Sequence, residues 1–191
     1  MTSDTEPTTG PPTGPPADPS IERVILVDES DREIGQAEKL SVHHGEGQLH
    51  RAFSVMIYNS QGHLMLQKRA VGKYHFGGLW TNTCCGHPRP GETVEAAGQR
   101  RLNEEMGIDV ELHEVGVFAY EADDERTGLR EREIDHVLAG RFDGQPTLNP
   151  DEAEGWLWSE PESLNAELAK HPERFTPWFE SAWMVAQKSS A

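Results

Sequence analysis

The residues of this chain that could do chemistry concentrate in one short window, residues 80–88. This window places the thiol of Cys85 two residues before the imidazole of His87, with Gly86 between them. A thiol can carry a proton and an imidazole can bind a metal ion. A segment rich in carboxylates and arginines follows, and it suits a magnesium-bound diphosphate. The window therefore predicts acid–base chemistry beside a metal and an anionic ligand.

The segment after the window has the spacing G-x5-E-x7-R-x-U-x-E-E-x-G-U, where U is an aliphatic residue. The matching residues are Gly86, Glu92, Arg100, Leu102, Glu104, Glu105, Gly107 and Ile108. We predict a helix over residues 92–106, because Pro-Gly precedes it and Gly107 suits the position after a helix end. Arg101 and Glu105 are i,i+4 neighbours, so a phosphate contact and a magnesium ligand would share one helical face. An exposed helix of mixed charge is the alternative, and the eight matches argue against it.

Histidines supply the first group of candidate metal ligands. His43, His50 and His87 are three imidazoles, which suit Zn, Mn or Fe. His50 directly precedes a predicted strand, and His43 lies seven residues earlier in a predicted loop. His44 is an alternative to His43 that spacing alone leaves open.

Two glutamates supply the second group. Glu131 and Glu133 stand just before a strand predicted to begin at Ile134. Residues two apart in an extended segment point to the same side, so both carboxylates could face one metal or one substrate. A solvated run of charges is the alternative.

An anionic substrate would need local cations, because the formal net charge is −16. Lys39, Arg69 and Lys73 lie in predicted loops around the first hairpin, and Arg101 lies on the predicted helix. With Mg²⁺ they could neutralise a diphosphate, although each alone could be an ordinary surface residue. Trp178, on a predicted helix, is either a core residue or a π face for a cationic intermediate.

Composition limits the class of protein. The charge argues against a nucleic acid partner. Residues 1–20 are predicted to be a disordered N-terminal tail without signal-peptide features, and residues 21–191 to form one domain. No run of about 18 apolar residues predicts a membrane span. Two adjacent cysteines cannot form a useful disulfide, so we expect a reducing, cytoplasmic setting. Nothing in the sequence suggests an assembly larger than a monomer.

The order of predicted elements indicates an α/β (α+β) fold, with a mixed sheet that has helices between and after its strands. The predicted strands cover residues 22–28, 51–58, 63–68, 112–121, 134–142 and 155–159. The predicted helices cover residues 92–106, 161–170 and 172–187, and residues 71–80 form a predicted loop.

These features together resemble one family, the type 1 isopentenyl-diphosphate isomerases, which have the Nudix fold with a mixed sheet between helices. The resemblance covers residues 21–187. It is carried by Glu38-Lys39, by His43 with His50 ahead of Ala52-Phe53-Ser54, by Arg69-Ala70, by the 80–88 window, by Glu131-x-Glu133 and by Pro177-Trp178. Arg101 replaces the usual glutamate of the Nudix box, as it does in this family.

The resemblance implies a role for each candidate residue. It selects His43 over His44, and implies one Mn²⁺, Zn²⁺ or Mg²⁺ held by His43, His50, His87, Glu131 and Glu133. A second ion, Mg²⁺, would be held by Glu105 and the backbone carbonyl of Cys85. The diphosphate would contact Lys39, Arg69, Lys73 and Arg101. Cys85 and Glu133 would be the catalytic pair, assisted by Tyr120 and Trp178, and no flavin is implied.

The implied reaction interconverts isopentenyl and dimethylallyl diphosphate in isoprenoid biosynthesis, through a tertiary carbocation. We expect Glu133 to deliver a proton through Tyr120, and Cys85, whose thiol can be tuned to ionise near neutral pH, to remove another as thiolate. The sequence leaves open which of the two acts first. Phe76 or Trp80 could line the same closed pocket. The alternatives are a Nudix pyrophosphohydrolase, which the arginine at position 101 disfavours, and a non-catalytic metal-binding module, which would leave Cys85 unexplained.

Overall fold

The computed structural model describes residues 22–189, so the predicted tail over residues 1–20 lies outside the described residues. The described part of the chain forms nine strands and three α-helices. The strands are β1 (Arg23–Val27), β2 (Glu33–Glu38), β3 (His50–Tyr58), β4 (Leu64–Arg69), β5 (Trp80–Thr81), β6 (Cys84–Gly86), β7 (His113–Asp124), β8 (Leu129–Arg141) and β9 (Ala153–Ser159). The helices are α1 (Val94–Met106), α2 (Pro161–Lys170) and α3 (Phe179–Ser189), with 3-10 turns at Ser41–His43 and Pro172–Arg174.

The strand β3 lies at the centre of a mixed sheet. It runs parallel to β8 along its whole length and antiparallel to β6, and β8 in turn pairs antiparallel with β7. Side chains of a strand alternate between its two faces. Phe53, Val55 and Ile57 accordingly pack in the core that includes α1, whereas Met56 packs in the core that includes α2 and α3. This sheet between helices confirms the predicted fold class.

Helix α1 begins and ends where local signals place its ends. The Thr93 hydroxyl accepts a hydrogen bond from the amide of Ala96 at 3.2 Å, so the helix begins at Val94, two residues later than predicted. Gly107 ends it with a left-handed φ of 63°. The backbone carbonyls of Glu105 and Met106 then accept hydrogen bonds from the segment that leads into β9.

The prediction that a strand begins at Ile134 is wrong, because β8 already begins at Leu129. Glu131 and Glu133 therefore lie inside a strand, where both are buried, as two residues of one face should be. Arg130 and Arg132 point the other way and pair with Glu121 on β7. Pairing with β7 thus extends the strand through a segment whose charge suggested a loop.

The predicted helix over residues 172–187 is interrupted. A 3-10 turn is followed by Phe175, which forms a bridge to Trp80 on β5, and α3 begins only at Phe179. Trp178 therefore precedes α3 instead of lying on it. The strands β2, β5 and β6 were not predicted, and Trp80 belongs to β5 instead of the predicted loop. Over residues 22–189, no helix has the length and apolar character to cross a membrane.

Candidate active site

Strand register brings the candidate catalytic residues together around Glu133. On one side of β8, Glu133 is the register partner of His50 at the start of β3. On the other side, it is the partner of Tyr120 on β7. Cys85 on β6 is the partner of Ser54, four residues along β3 from His50. Positions far apart in the sequence thus reach one cavity because β3 pairs with β8, and β6 and β7 pair with β3 and β8 respectively.

Five buried side chains converge into a candidate metal centre. One potential ligand atom from each lies within 4.8 Å of all the others. The five residues are His43, His50, His87, Glu131 and Glu133.

The hydrogen bonds of the histidines aim their free nitrogens at a common point. The Nδ1 atoms of His43 and His50 lie 2.6 and 2.7 Å from the backbone carbonyls of Lys39 and Gln48. Because a carbonyl only accepts, each Nδ1 carries a hydrogen, and in the neutral imidazole each Nε2 then presents a lone pair. The Nε2 atoms of His50 and His87 nevertheless lie 3.2 Å apart. His87 Nε2 also lies 2.8 Å from Glu133 Oε1, so ring nitrogens and a carboxylate oxygen crowd together as the ligands of a cation do.

Buried polar atoms without good hydrogen bonds also support a metal site at this cluster. His43 Nε2 and Glu131 Oε2 are buried and lie 3.0 Å apart, but neither makes a hydrogen bond of good geometry. Buried polar atoms are normally paired, so these two are arranged for a ligand. Burial lowers the pKa of His87 to about 4, which keeps its imidazole neutral, as a metal ligand must be. The three nitrogens and two carboxylates fit a divalent Zn or Mn ion.

The carboxylates of the cluster are held by further residues. Burial opposes the charge on Glu133, but His50 and His87 beside it hold its pKa well below the usual range. The hydroxyl of Tyr120 donates a hydrogen bond to Glu133. His75, which the sequence did not single out, places Nδ1 2.6 Å from Glu131 Oε1. Both glutamates are therefore oriented from outside the cluster.

Cys85 lies in the same cavity as Glu133, Tyr120 and Trp178. Burial raises the pKa of its thiol to about 11, although the Arg69 guanidinium, whose Nη1 lies 3.4 Å from the sulfur, lowers it in part. This differs from the expectation of a thiolate near neutral pH. Burial therefore favours the neutral thiol at Cys85, whereas His50 and His87 favour the ionised carboxylate at Glu133.

Trp178 presents its ring to this cavity. Its indole nitrogen donates to Asn82 Oδ1 at 3.1 Å, which fixes the ring, and the Arg69 guanidinium lies 5.4 Å from the ring centre. Phe76 packs edge-on against Trp178 with 5.5 Å between ring centres, but neither Phe76 nor Trp80 lines the cavity. The expectation that Phe76 or Trp80 forms the wall is therefore wrong.

Four predicted diphosphate contacts, Lys39, Arg69, Lys73 and Arg101, line the cavity. Lys39 Nζ lies 2.9 Å from Glu22 Oε2. Arg69, the last residue of β4, donates to the backbone carbonyls of His75 and Phe76 at 3.1 and 3.2 Å. These two cations thus already have protein partners.

The other two cations share acidic partners. Arg101 Nη2 lies 2.5 Å from Glu105 and 2.8 Å from Glu152, and Lys73 Nζ lies 2.5 Å from Glu152. Glu105 is fully buried, and its second oxygen accepts a hydrogen bond from Gln67 at 2.9 Å. Burial raises the pKa of Glu152, but Lys73 and Arg101 outweigh it and bring that pKa to about 2.

Two residues that line the site, His75 and Asp135, and one that contacts its cations, Glu152, were missed from the sequence. Asp135 continues the alternation of Glu131 and Glu133 into the cavity, a signal that could have been read; burial and the charge of Glu133 raise its pKa well above the usual range. His75 and Glu152 lie in connecting segments where no pattern distinguishes them, because only the fold brings them to the site.

Comparison with known proteins finds a family and close relatives in sequence. The model of the NUDIX domain family matches residues 48–179. A protein of Serratia proteamaculans named isopentenyl-diphosphate Delta-isomerase is 52% identical over 158 residues, 83% of this chain and 87% of that relative. A protein of Halorhodospira halophila with the same name is 49% identical over 160 residues, 83% of this chain and 91% of the relative.

Solved structures share the fold. The crystal structure of DR0079 from Deinococcus radiodurans has a TM-score of 0.69 and 26% identity, covering 87% of this chain and 98% of that one. A MutT NUDIX hydrolase from Burkholderia pseudomallei, with a TM-score of 0.57 and 23% identity, covers 72% of this chain and 98% of its own, and shows the fold alone. The family match and the two isomerase relatives are more specific: the chain belongs to the NUDIX domain family and, within it, to the isopentenyl-diphosphate Delta-isomerases.

Proposed function

We propose that the protein interconverts isopentenyl diphosphate and dimethylallyl diphosphate, and that Cys85 and Glu133 carry the protons. One observation carries the assignment: the thiol of Cys85 and the carboxylate of Glu133 line the same cavity, beside the ligand cluster and four cations. A hydrolase has no use for a buried thiol of this kind, whereas moving a double bond requires one group that gives a proton and one that takes it.

The reaction needs two proton transfers. A proton adds to the terminal alkene carbon, whose π electrons form the new C–H bond and leave a tertiary carbocation. A proton then leaves the allylic carbon, and the electrons of that C–H bond form the new double bond. The protonation states support Cys85 as donor and Glu133 as acceptor, with Tyr120 bonded to Glu133 as relay. In this order Cys85 gives the proton, whereas we expected from the sequence that Glu133 gives it. The reverse reaction, from dimethylallyl to isopentenyl diphosphate, would start with the proton on Glu133 and with Cys85 as thiolate.

The carbocation needs protection while it exists. The ring of Trp178 faces the cavity and is itself buried, so its π face can stabilise positive charge by about 2 kcal/mol. Water would quench the cation, so an apolar wall around the reacting carbons favours isomerisation over hydration. Trp178 therefore belongs to the proposed catalytic set.

The head group of the substrate is assigned to the cations. We propose that Lys39, Arg69, Lys73 and Arg101 contact the diphosphate. Glu105 and the backbone carbonyl of Cys85 would hold Mg²⁺, which neutralises phosphate charge when bound.

The cluster of histidines and glutamates defined above would hold Mn²⁺, Zn²⁺ or Mg²⁺, which lowers the negative charge around Glu133 when bound. Both cysteines are free thiols in the structure, which suits the reducing cytoplasm that we propose as the location. We propose a monomer that acts on this small diphosphate without nucleic acid or membrane.

Incubation with isopentenyl diphosphate, Mg²⁺ and Mn²⁺ tests the reaction. Dimethylallyl diphosphate and released phosphate are measured separately, and the reaction in D₂O should place deuterium in the product. Cys85→Ala should lower kcat by at least about 10²-fold, the usual contribution of a positioned acid or base. Cys84→Ala, at the neighbouring buried thiol, should keep isomerase activity. Phosphate release without isomer would overturn the proposed function.

A further inference from the structure

Glu152 lies between two of the cations assigned to the diphosphate. Its two oxygens separate: Oε2 lies 2.5 Å from Lys73 Nζ, and Oε1 lies 2.8 Å from Arg101 Nη2. One carboxylate thus bridges two cationic side chains that come from different elements, the loop after β4 and helix α1. A bridging anion with two oxygens is also what a phosphate group presents to such a pair.

The backbone positions Glu152 for this contact. The amides of Thr147 and Asn149 donate to the carbonyls of Met106 and Glu105 at the end of α1, at 2.8 and 2.9 Å. The amide of Ala70, at the start of the loop that carries Lys73, donates to the carbonyl of Glu152 at 2.9 Å. The position of the carboxylate is therefore set by both neighbouring elements.

Both cations have carboxylates other than Glu152 nearby that offset their charge within the fold. Arg101 already pairs with Glu105 at 2.5 Å and with Glu104 at 2.7 Å, and Lys73 lies 3.9 Å from Glu105. Lys73 lines the cavity, and the Lys73 and Glu152 side chains are 11% and 22% exposed, so an anion in the cavity can reach Lys73 and replace its partner.

We propose that Glu152 is a positioning residue that occupies the place of a phosphate group between Lys73 and Arg101, and that the substrate diphosphate displaces it. This inference rests on the proposed function, because it takes the diphosphate as ligand. In the substrate-free protein Glu152 holds both cations in their binding positions. The exchange of one anion for another then needs little reorganisation of the site.

Competition from Glu152 also favours turnover. Isopentenyl and dimethylallyl diphosphate have the same head group, so any contact with it binds substrate and product equally and adds nothing to the chemical step. A carboxylate that returns to the cations lowers the affinity for both molecules. It therefore helps the product to leave, a step that often limits kcat.

The inference is tested with Glu152→Gln, which keeps the shape of the side chain and removes its charge. The matched control is Glu154→Gln on β9, since Glu154 forms a pair of similar length with Lys68, at 2.7 Å, outside the site. Calorimetry measures the Kd of inorganic diphosphate with and without MgCl₂. We expect about tenfold tighter binding by Glu152→Gln in both conditions and no change in the control. The same variant should show a lower KM together with a lower kcat.

Glu152→Asp keeps the charge and should bind inorganic diphosphate as the unmodified protein does, which separates competition from damage to the fold. Unchanged or weaker binding by Glu152→Gln would overturn the inference. Weaker binding only with MgCl₂ would also overturn it, and would make Glu152 a metal ligand instead. Tighter binding by a protein that makes no dimethylallyl diphosphate would overturn the proposed reaction while leaving the competition at the two cations intact.

Discussion

Cys85 and Glu133 show how environment sets the chemistry of a residue. Sequence predicted both as proton carriers, through the resemblance of the 80–88 window, with Cys85 as a thiolate, whereas burial in the structure raises the pKa of that thiol. Burial disfavours a thiolate at Cys85, and the single nearby guanidinium of Arg69 does not compensate. Glu133 is also buried, yet two imidazoles beside it keep it ionised. The difference arises from tertiary neighbours, which residue spacing does not contain.

The raised pKa of Cys85 predicts slow alkylation at neutral pH. In protein treated with a chelator, the rate of reaction with iodoacetamide should rise as the pH approaches about 11, because the thiolate is the reactive form. Mass spectrometry of the modified peptide, with Cys84→Ala to remove the neighbouring thiol, gives the rate at each pH. A rate that levels off near pH 7 would show a thiolate in the resting protein and would restore the order of proton transfers expected from the sequence.

At the scale of elements, the sequence predicted correctly the element ends that are determined by neighbouring residues in the chain. Helix α1 was predicted within two residues, because its cap and Gly107 are encoded next to it. The start of β8 and the break before α3 were not predicted, because pairing of β8 with β7 and of Phe175 with Trp80 determines them. The same limit applies to the site. The ligand residues were predicted by resemblance, whereas Glu152 reaches the site only through the contacts of its segment with α1.

The end of α1 links stability to the site. Gly107 has a φ of 63°, and a Cβ there would lie 2.9 Å from Thr147 Cβ and 3.0 Å from the Thr147 carbonyl oxygen. Gly107→Ala should therefore destabilise the protein by about 2–3 kcal/mol, from the left-handed backbone and the clash together. Gly128→Ala is the matched control, since Gly128 has a φ of 70° and no atom within 4 Å of the added Cβ, so it should cost only about 1 kcal/mol.

Urea unfolding measures both changes in the free energy of unfolding. Because Thr147 begins the segment that positions Glu152, Gly107→Ala should also tighten the binding of inorganic diphosphate. Equal destabilisation by the two variants would show that the segment after Phe142 adapts freely, and that α1 does not position it.

At the scale of the whole molecule, a protein with a net charge of −16 must hold a strongly anionic substrate. Three of the four described cations of the cavity, Lys39, Lys73 and Arg101, are paired with carboxylates of the same chain, so these pairs stabilise the fold at the expense of affinity for the diphosphate. A substitution that removes the charge of Glu152 should then change the stability of the protein and its affinity for diphosphate in opposite directions. The variant that we expect to bind diphosphate more tightly should also be the less stable one.

The pH dependence of the free energy of unfolding tests whether the charge of Glu152 stabilises the fold. The pKa of Glu152 in the folded protein is about 2, below its ordinary value of 4.5, so the unfolded chain takes up the proton first as the pH falls. Its contribution is complete above pH 4.5 and is lost as the pH falls towards 2. At pH 7, Glu152→Gln should lower the free energy of unfolding by about 2 kcal/mol, allowing for solvent screening. By pH 3 the difference should have fallen to about half. Urea unfolding at both pH values measures the difference in the free energy of unfolding. The control Glu154→Gln removes an exposed pair with Lys68 and should change that free energy little. A difference that stays constant would mean that the charge of Glu152 contributes nothing to the fold, and that the two cations are held in place without it.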